Sequence, residues 1–174
     1  MTEDEMGSNP RDSSVGKILA SLHLRIQNRK STIEMTESVN SLFDASLERY
    51  NSGEGPDTLI PVFKDLCDRA PKNAAAWSCL AWLYLLDNKP EQGYKAALKG
   101  VKLDPNAPQA RINLTLAMLE TGQTGVRQHI DIVKQMMALE SEVRGDLFES
   151  IDDGLSRKPD WNSLIRVKKW LSED

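Results

Sequence analysis

The chain has 174 residues, of which 40% are apolar and 28% charged, a composition typical of one globular domain with tails. Its net charge of −4 excludes a general electrostatic attraction to nucleic acid or anionic membranes. Its two cysteines, Cys67 and Cys79, are too few for a disulfide framework and lack metal-ligand spacing, as is typical of a reducing compartment.

Residues 1–14 are polar, contain Gly7 and Pro10, and show no periodicity, so we predict a disordered tail. The acidic start has neither the apolar core of a secretory signal nor the Arg/Ser-rich composition of a transit peptide. The most apolar run, Ala74 to Leu86, has thirteen residues, whereas a membrane span needs about 20. We therefore expect a soluble, cytoplasmic protein.

Residues 15–30 combine an apolar stripe at helical spacing with charges that are all basic. The stripe consists of Val15, Ile18, Leu19, Leu22 and Ile26, and the charges are Lys17, Arg25, Arg29 and Lys30. A basic amphipathic helix of this kind packs on its own domain, associates with a partner or a second copy, or lies on a membrane surface. Packing on its own domain is the first interpretation, and the other two stay open.

From residue 31 onward, apolar stripes and stop signals predict consecutive antiparallel helices and no strand. Ser31 with Glu34 indicates a capping box at the start of a helix. Pro90 stands where the first residue of another helix is expected. After residue 139, a helix ending at Gly154 and a last helix beginning at Pro159-Asp160 are predicted.

Internal repetition is the strongest pattern in the sequence, because Pro71 and Pro105 close two helices at an interval of 34 residues. Between them, Trp77, Leu80, Ala81 and Tyr84 form the pattern Trp-x-x-Leu-small-x-x-Tyr, and the small residue Gly93 follows in the next helix. This pattern resembles the tetratricopeptide repeat (TPR), a helix-turn-helix unit of the same length. Residues 74–107 carry the specific match, and the flanking repeats are degenerate.

The resemblance implies an all-α superhelix of about three helix pairs over residues 31–139, with an N-terminal helix at 15–30 and capping helices at 140–174. One period before the central repeat, Phe43 stands in the place of its tryptophan, and Phe63 is the aromatic residue of the second helix. One period after it, Leu114 and Met118 hold the apolar positions.

No constellation for catalysis, metal binding or cofactor binding stands out. His23 and His129 have no cysteine, serine or second histidine at a useful spacing, and Asp152-Asp153 is interpreted as a solvated helix end. The cluster Lys168-Lys169-Trp170 is too short for a nucleic-acid surface. We predict no enzyme, no cofactor, no metal and no nucleic-acid partner.

In proteins with stacked TPRs, the first helices line a concave groove that holds a partner's peptide or helix. The resemblance assigns nine residues to this groove: Asp44, Glu48, Ser78, Trp82, Leu85, Gln109, Ile112, Asn113 and Leu116. One subclass grips a C-terminal carboxylate with side chains that include a lysine and an asparagine on these helices. Asp44 and Glu48 stand where that lysine and asparagine would be, so no carboxylate clamp is expected. The remaining pattern predicts an apolar wall with an acidic edge, either open to a partner or covered by residues 15–30.

The sequence therefore predicts a protein-protein interaction module, a scaffold, adaptor or assembly factor that binds a partner peptide or helix. The class II chaperones of type III secretion are similar in size, with three such repeats and an N-terminal helix that dimerises. That layout implies, as an alternative, an export chaperone that self-associates through residues 15–30. A second alternative is an assembly factor attached to a membrane surface by the same basic helix.

Overall fold

The computed structural model describes residues 14–173, with side chains from Ser21 onward except His23. Apart from Ser14, the tail predicted at residues 1–14 lies outside the described residues. Regular structure within residues 14–173 is entirely helical. The helices are α1 Ser14–Asn51, α2 Pro56–Arg69, α3 Ala74–Leu86, α4 Pro90–Leu103, α5 Pro108–Glu120, α6 Val126–Leu139, α7 Ser141–Arg157 and α8 Asn162–Ser172. None of these described helices is long and apolar enough to cross a membrane.

The chain divides into two units, Met1–Ser41 and Leu42–Asp174, and α1 runs through the boundary. The helix start predicted at Ser31 is wrong, because α1 is continuous from Ser14 to Asn51. The Thr32 hydroxyl donates to the Asn28 carbonyl at 2.8 Å and the Thr36 hydroxyl to the Thr32 carbonyl at 2.9 Å. These hydroxyls bond back within the helix rather than capping a new one, so the polar run does not end it.

Several apolar side chains of the first unit are exposed to solvent: Leu22, Leu24, Ile26, Ile33 and Met35. Leu22 and Ile26 belong to the predicted stripe, whereas the side chains of Val15, Ile18 and Leu19 lie outside the described part of the chain. Docking on the domain, self-association and membrane contact through residues 15–30 all stay predictions.

The second unit has the TPR-like helical arrangement that the 34-residue period predicts. From α2 to α8 each helix packs against the next, and α3 also packs against α5, the first helix of the following repeat. Asn73 caps α3 by accepting a hydrogen bond from the Ala76 amide at 3.1 Å, and Pro90 opens α4 as predicted. The fold class is therefore the all-α, TPR-like one expected from the sequence.

Small residues bring α3 and α4 together in the central repeat. Ala81 is fully buried, and a Cβ atom placed on Gly93 would lie 3.0 Å from the Leu85 Cγ atom. One period earlier, the Phe43 and Phe63 rings meet edge to face with centroids 5.9 Å apart. Phe43 and Phe63 therefore join α1 to α2 in the earlier repeat.

The C-terminal helices differ from the prediction at their ends. Gly154 does not stop α7, which continues to Arg157, and α8 begins at Asn162 with Trp161 rather than Asp160 in the cap position. Trp161 is buried, whereas Ile165 in the same segment is 46% exposed. Burial of the large Trp161 ring sets the entry to α8, because its indole occupies the core described below.

Candidate functional site

The first helices of the repeats form one face of the second unit, which we call the first-helix face: α3, α5 and residues 42–51 of α1. On it, the Asn113 side-chain amide donates to the Ser78 carbonyl at 2.9 Å and contacts the Ser78 hydroxyl at 3.1 Å. The Gln109 side-chain amide donates to the Asn113 side-chain oxygen Oδ1 at 2.9 Å. Three predicted groove residues are thus joined in one hydrogen-bonded chain, which satisfies the fully buried Asn113.

The apolar wall predicted for the groove is not exposed. Leu85, Ile112 and Leu116 have no solvent-accessible surface, because the C-terminal helices pack over them. They share one core with residues of α7 and α8, among them Leu147, Ile151, Leu164, Val167 and Leu171. We call the part of the first-helix face around Leu85, Ile112 and Leu116 the covered face.

The helices that cover this face, α7 and α8, come from the C-terminal end of the chain, whereas the sequence suggested residues 15–30 as a cover. Here the helices predicted to cap the open end of the repeats fold back onto the first-helix face. Trp82 and Trp161 make the central contact, with ring centroids 5.2 Å apart and planes tilted by 44°. Trp82, predicted to contact a partner, is consequently only 8% exposed.

Gly154 permits the close approach of α7. A Cβ atom at this position would lie 2.6 Å from the Trp82 Cη2 atom and 2.8 Å from the Leu164 Cδ2 atom. Both neighbours are buried side chains, so a larger residue at this position must displace them. The role of Gly154 is close packing within a helix, not helix termination.

A polar cluster ties the C-terminal end of α1 to α3 and α7. The Tyr50 hydroxyl donates to the Asp153 carboxylate and accepts a hydrogen bond from the Trp82 indole N–H at 2.8 Å. Arg157 binds the same carboxylate through Nε at 3.0 and 3.1 Å, donates to the Tyr50 carbonyl at 2.8 Å, and lies 3.8 Å from the Tyr50 ring centroid. Burial, then the bond to Asp153, raises the pKa of the Tyr50 phenol.

Beside the covered face, the first-helix face remains open in a cleft of about 500 Å³, which we call the open cleft. Its lining consists of Leu47, Tyr50 and Asn51 of α1, Phe63 of α2, Ser78, Cys79, Trp82 and Leu83 of α3, Gln109 and Asn113 of α5, and Asp146, Glu149, Ser150 and Asp153 of α7. The volume lies within the range of sites for small ligands or a few side chains. The structure therefore brings Ser78, Trp82, Gln109 and Asn113 together in one cavity.

The remaining predicted groove residues do not line the open cleft. Asp44 and Glu48 are exposed on α1, and Leu85, Ile112 and Leu116 belong to the covered face. The prediction missed the α7 wall, where Asp146, Glu149 or Ser150, and Asp153 recur at helical spacing. That polar stripe was visible in the sequence, but nothing there indicated that α7 returns to the first-helix face.

The open cleft is apolar at its base and acidic on its α7 wall. Phe63 and Leu83 are almost fully buried at 1% and 2% exposure, whereas Asp146 and Glu149 are exposed. Among the side chains that the structure describes, neither Asp146 nor Glu149 pairs with a cation, whereas Asp153 is neutralised by Arg157. The wall therefore carries two uncompensated negative charges.

The cysteine and histidine side chains of the second unit have pKa values shifted by their surroundings. Burial raises the pKa of the Cys79 thiol at the cleft to about 12, and that of Cys67 likewise, so both remain neutral thiols. Burial, then the nearby Arg111 guanidinium, lowers the pKa of His129, whose Nδ1 lies 3.3 Å from Arg111 Nη1. Among the side chains that the structure describes, no group of three His, Cys, Asp or Glu could hold a metal ion.

A second depression, of about 360 Å³, lies between α2, α3 and α4, and we call it the basic slot. Its apolar lining includes Trp77, Leu80 and Tyr84, the repeat-pattern residues. Its charged lining includes the exposed residues Lys64, Lys95 and Lys99, together with Asp68. The two depressions therefore differ in the sign of the charge beside their apolar surface.

No protein-family model matches the chain, and no curated protein matches it. Solved structures do match in fold. The type III secretion translocator chaperone SycD of Yersinia enterocolitica matches with a TM-score of 0.52 at 15% identity, over 66% of this chain and 90% of that one. A second SycD structure, described as an alternative dimer, gives 0.56 at 14% identity over 79% and 96%.

The structure of PcrH in complex with the chaperone-binding region of PopD also matches, with a TM-score of 0.56 at 16% identity over 71% of this chain and 95% of that one. At these identities the likeness concerns the fold alone. It agrees with the TPR-like arrangement of the second unit.

Proposed function

We propose that the protein is a non-enzymatic interaction module that binds a short segment of a partner protein in the open cleft. The observation that carries this proposal is a cleft of about 500 Å³ with a buried apolar base, located on the repeat face that remains after α7 and α8 have packed on it. An α-helix with its side chains is about 10–12 Å wide, so a cavity of this volume suits a few side chains better than a whole helix.

Burial on the first-helix face limits which substitutions can test this proposal. Replacing Trp82 or Leu116 by Asp would place a charge in the core and unfold the protein, so loss of binding would be uninformative. Ser150 is a better site, because it lines the cleft from α7 and its side chain makes no hydrogen bond within the described residues. Ser150→Trp fills the cavity while leaving the covered face unchanged.

The experiment is affinity purification of the full chain from cells of its natural source, with quantitative mass spectrometry. Ser156→Trp is the matched control, because Ser156 is exposed on the same helix and does not line the cleft. We expect at least one partner to be retained by wild type and Ser156→Trp and lost from Ser150→Trp, with all three proteins showing the same circular dichroism. Identical partner sets for the three proteins would contradict the proposal.

A second candidate is the export chaperone, favoured by the extent of the fold match: 90–96% of the chaperone chains SycD and PcrH is covered. This function predicts self-association through the first unit, where Leu22, Ile26 and Ile33 are exposed. Sedimentation of the full chain and of a Leu22→Glu/Ile26→Glu variant tests it. A dimer that the variant abolishes supports this candidate, and a wild-type monomer at high concentration contradicts it.

A further inference from the structure

The chemistry of the cleft walls restricts what the partner segment can be. The apolar lining of the cleft includes the half-buried Leu47 together with Phe63 and Leu83, and negative charge on one wall comes from Asp146 and Glu149. Building on the function proposed above, we infer that the bound segment is cationic: it places an apolar side chain at the base and an adjacent Lys or Arg side chain against Asp146 and Glu149.

The acidic side chains of the cleft wall differ in whether their charge is already compensated. Asp153 already receives hydrogen bonds from Tyr50 and Arg157, so its negative charge is compensated within the protein. Asp146 and Glu149 have no such partner among the described side chains, and they are three residues apart on one face of α7. Like charges at this spacing repel each other, and a ligand cation between them removes that repulsion.

The shape of a Lys or Arg side chain also matches the open cleft. Lys and Arg have an aliphatic stem beneath a charged head, so one side chain can cover apolar surface while its charge stays near water. The cleft offers the matching arrangement, with Leu47, Phe63 and Leu83 among its apolar lining residues and the exposed carboxylates of Asp146 and Glu149 on one wall. Arg would in addition bind a carboxylate through two parallel hydrogen bonds.

The charge of the open cleft disfavours an acidic segment. An acidic segment in the open cleft would add repulsion from Asp146 and Glu149 and find no cation among the lining residues. Acidic segments are better matched to the basic slot, where Lys64, Lys95 and Lys99 stand beside Trp77. The two depressions therefore serve as internal controls for each other.

Selection from a phage-displayed library of random decapeptides, panned on the folded full chain, tests the inference and does not require the partner to be identified. Selected peptides are then measured by fluorescence polarisation against four variants. Ser150→Trp blocks the open cleft, and Asp146→Asn/Glu149→Gln neutralises its wall. Glu91→Gln/Asp131→Asn makes the same change of net charge at exposed residues elsewhere, and Lys95→Glu/Lys99→Glu reverses the basic slot.

We expect selected peptides to carry Lys or Arg next to an apolar residue and to lose binding to Ser150→Trp. We expect peptide affinity for Asp146→Asn/Glu149→Gln to be about tenfold lower than for wild type at low salt, with a smaller difference as salt rises. The charge-matched control should bind the peptides as wild type does. Peptides that depend on the open cleft but lack basic residues, or bind the neutral wall variant equally well, overturn this inference and leave the proposed function standing. The absence of any cleft-dependent peptide, including selection of acidic peptides at the basic slot alone, overturns both.

Discussion

The covered face and the open cleft are neighbouring parts of the first-helix face, and they differ in what packs against them. On the covered face, Leu85, Ile112 and Leu116 are sealed by the protein's own C-terminal helices. In the open cleft, α7 stands as a wall and leaves Ser78 and Gln109 partly accessible. An apolar repeat face is therefore not in itself a binding surface, because the chain can use part of it to complete its core.

Substitution of leucine on the two parts should produce the largest difference. Leu116→Ala empties a fully buried site on the covered face and should cost about 2–5 kcal/mol of unfolding free energy. Leu47→Ala, at the half-buried edge of the open cleft, should cost only about 1 kcal/mol. Urea unfolding followed by circular dichroism measures both. Equal costs would mean that the covered face is not a tighter core than the cleft.

Alanine substitution at the two glycines of α7 should change the unfolding free energy in opposite directions. Gly154→Ala brings a methyl group against the Trp82 ring and should destabilise by about 1–3 kcal/mol. Gly145→Ala meets nothing within 4 Å and should stabilise by up to about 1 kcal/mol through helix propensity. Thermal unfolding distinguishes them. A stabilising Gly154→Ala would show that α7 does not approach Trp82 this closely.

The Tyr50 hydroxyl links the two parts, because it bonds both Trp82 and the cleft residue Asp153. Tyr50→Phe leaves the indole N–H and a carboxylate lone pair without a partner and should cost about 1–3 kcal/mol. Tyr94→Phe is the matched control, since the Tyr94 hydroxyl makes no hydrogen bond within the described residues. Chemical denaturation of the two variants should separate them, and indistinguishable stabilities would argue against the link.

Alkaline pH should weaken the same link, with a smaller effect. The folded state raises the pKa of Tyr50 above its ordinary value of 10, so the folded protein holds this proton more tightly than the unfolded chain does. The resulting stabilisation is present below pH 10 and is lost as the pH rises further. Between pH about 8 and about 11, the unfolding free energy of wild type should therefore decrease more than that of Tyr50→Phe. Parallel losses would contradict the raised pKa.

The sequence predicted the parts of the fold that depend on local periodicity. The 34-residue interval located α3 and α4, and the small residues Ala81 and Gly93 stand at their close contact as the repeat pattern requires. It also placed Ser78, Gln109 and Asn113 on one face, where they share hydrogen bonds. These features follow from spacing along one or two neighbouring helices.

The return of α7 and α8 could not be predicted in the same way, because it depends on contacts between distant segments. Gly154 resembles a helix stop in the sequence, and only its position against Trp82 shows that it is a packing residue. Asp153 resembles a solvated helix end, although it binds Tyr50 more than 100 residues away along the chain. The acidic cleft wall escaped prediction for the same reason.

The most direct test of the account is an NMR titration of the isotope-labelled full chain with a cleft-dependent basic peptide. We predict that the largest amide shift changes map to residues of the open cleft, such as Leu83, Gln109 and Glu149, and that the amides of Lys95 and Lys99 in the basic slot stay unchanged. Shift changes centred on the basic slot, or spread over α7 and α8 as the covered face opens, would contradict the claim that the open cleft is the binding site.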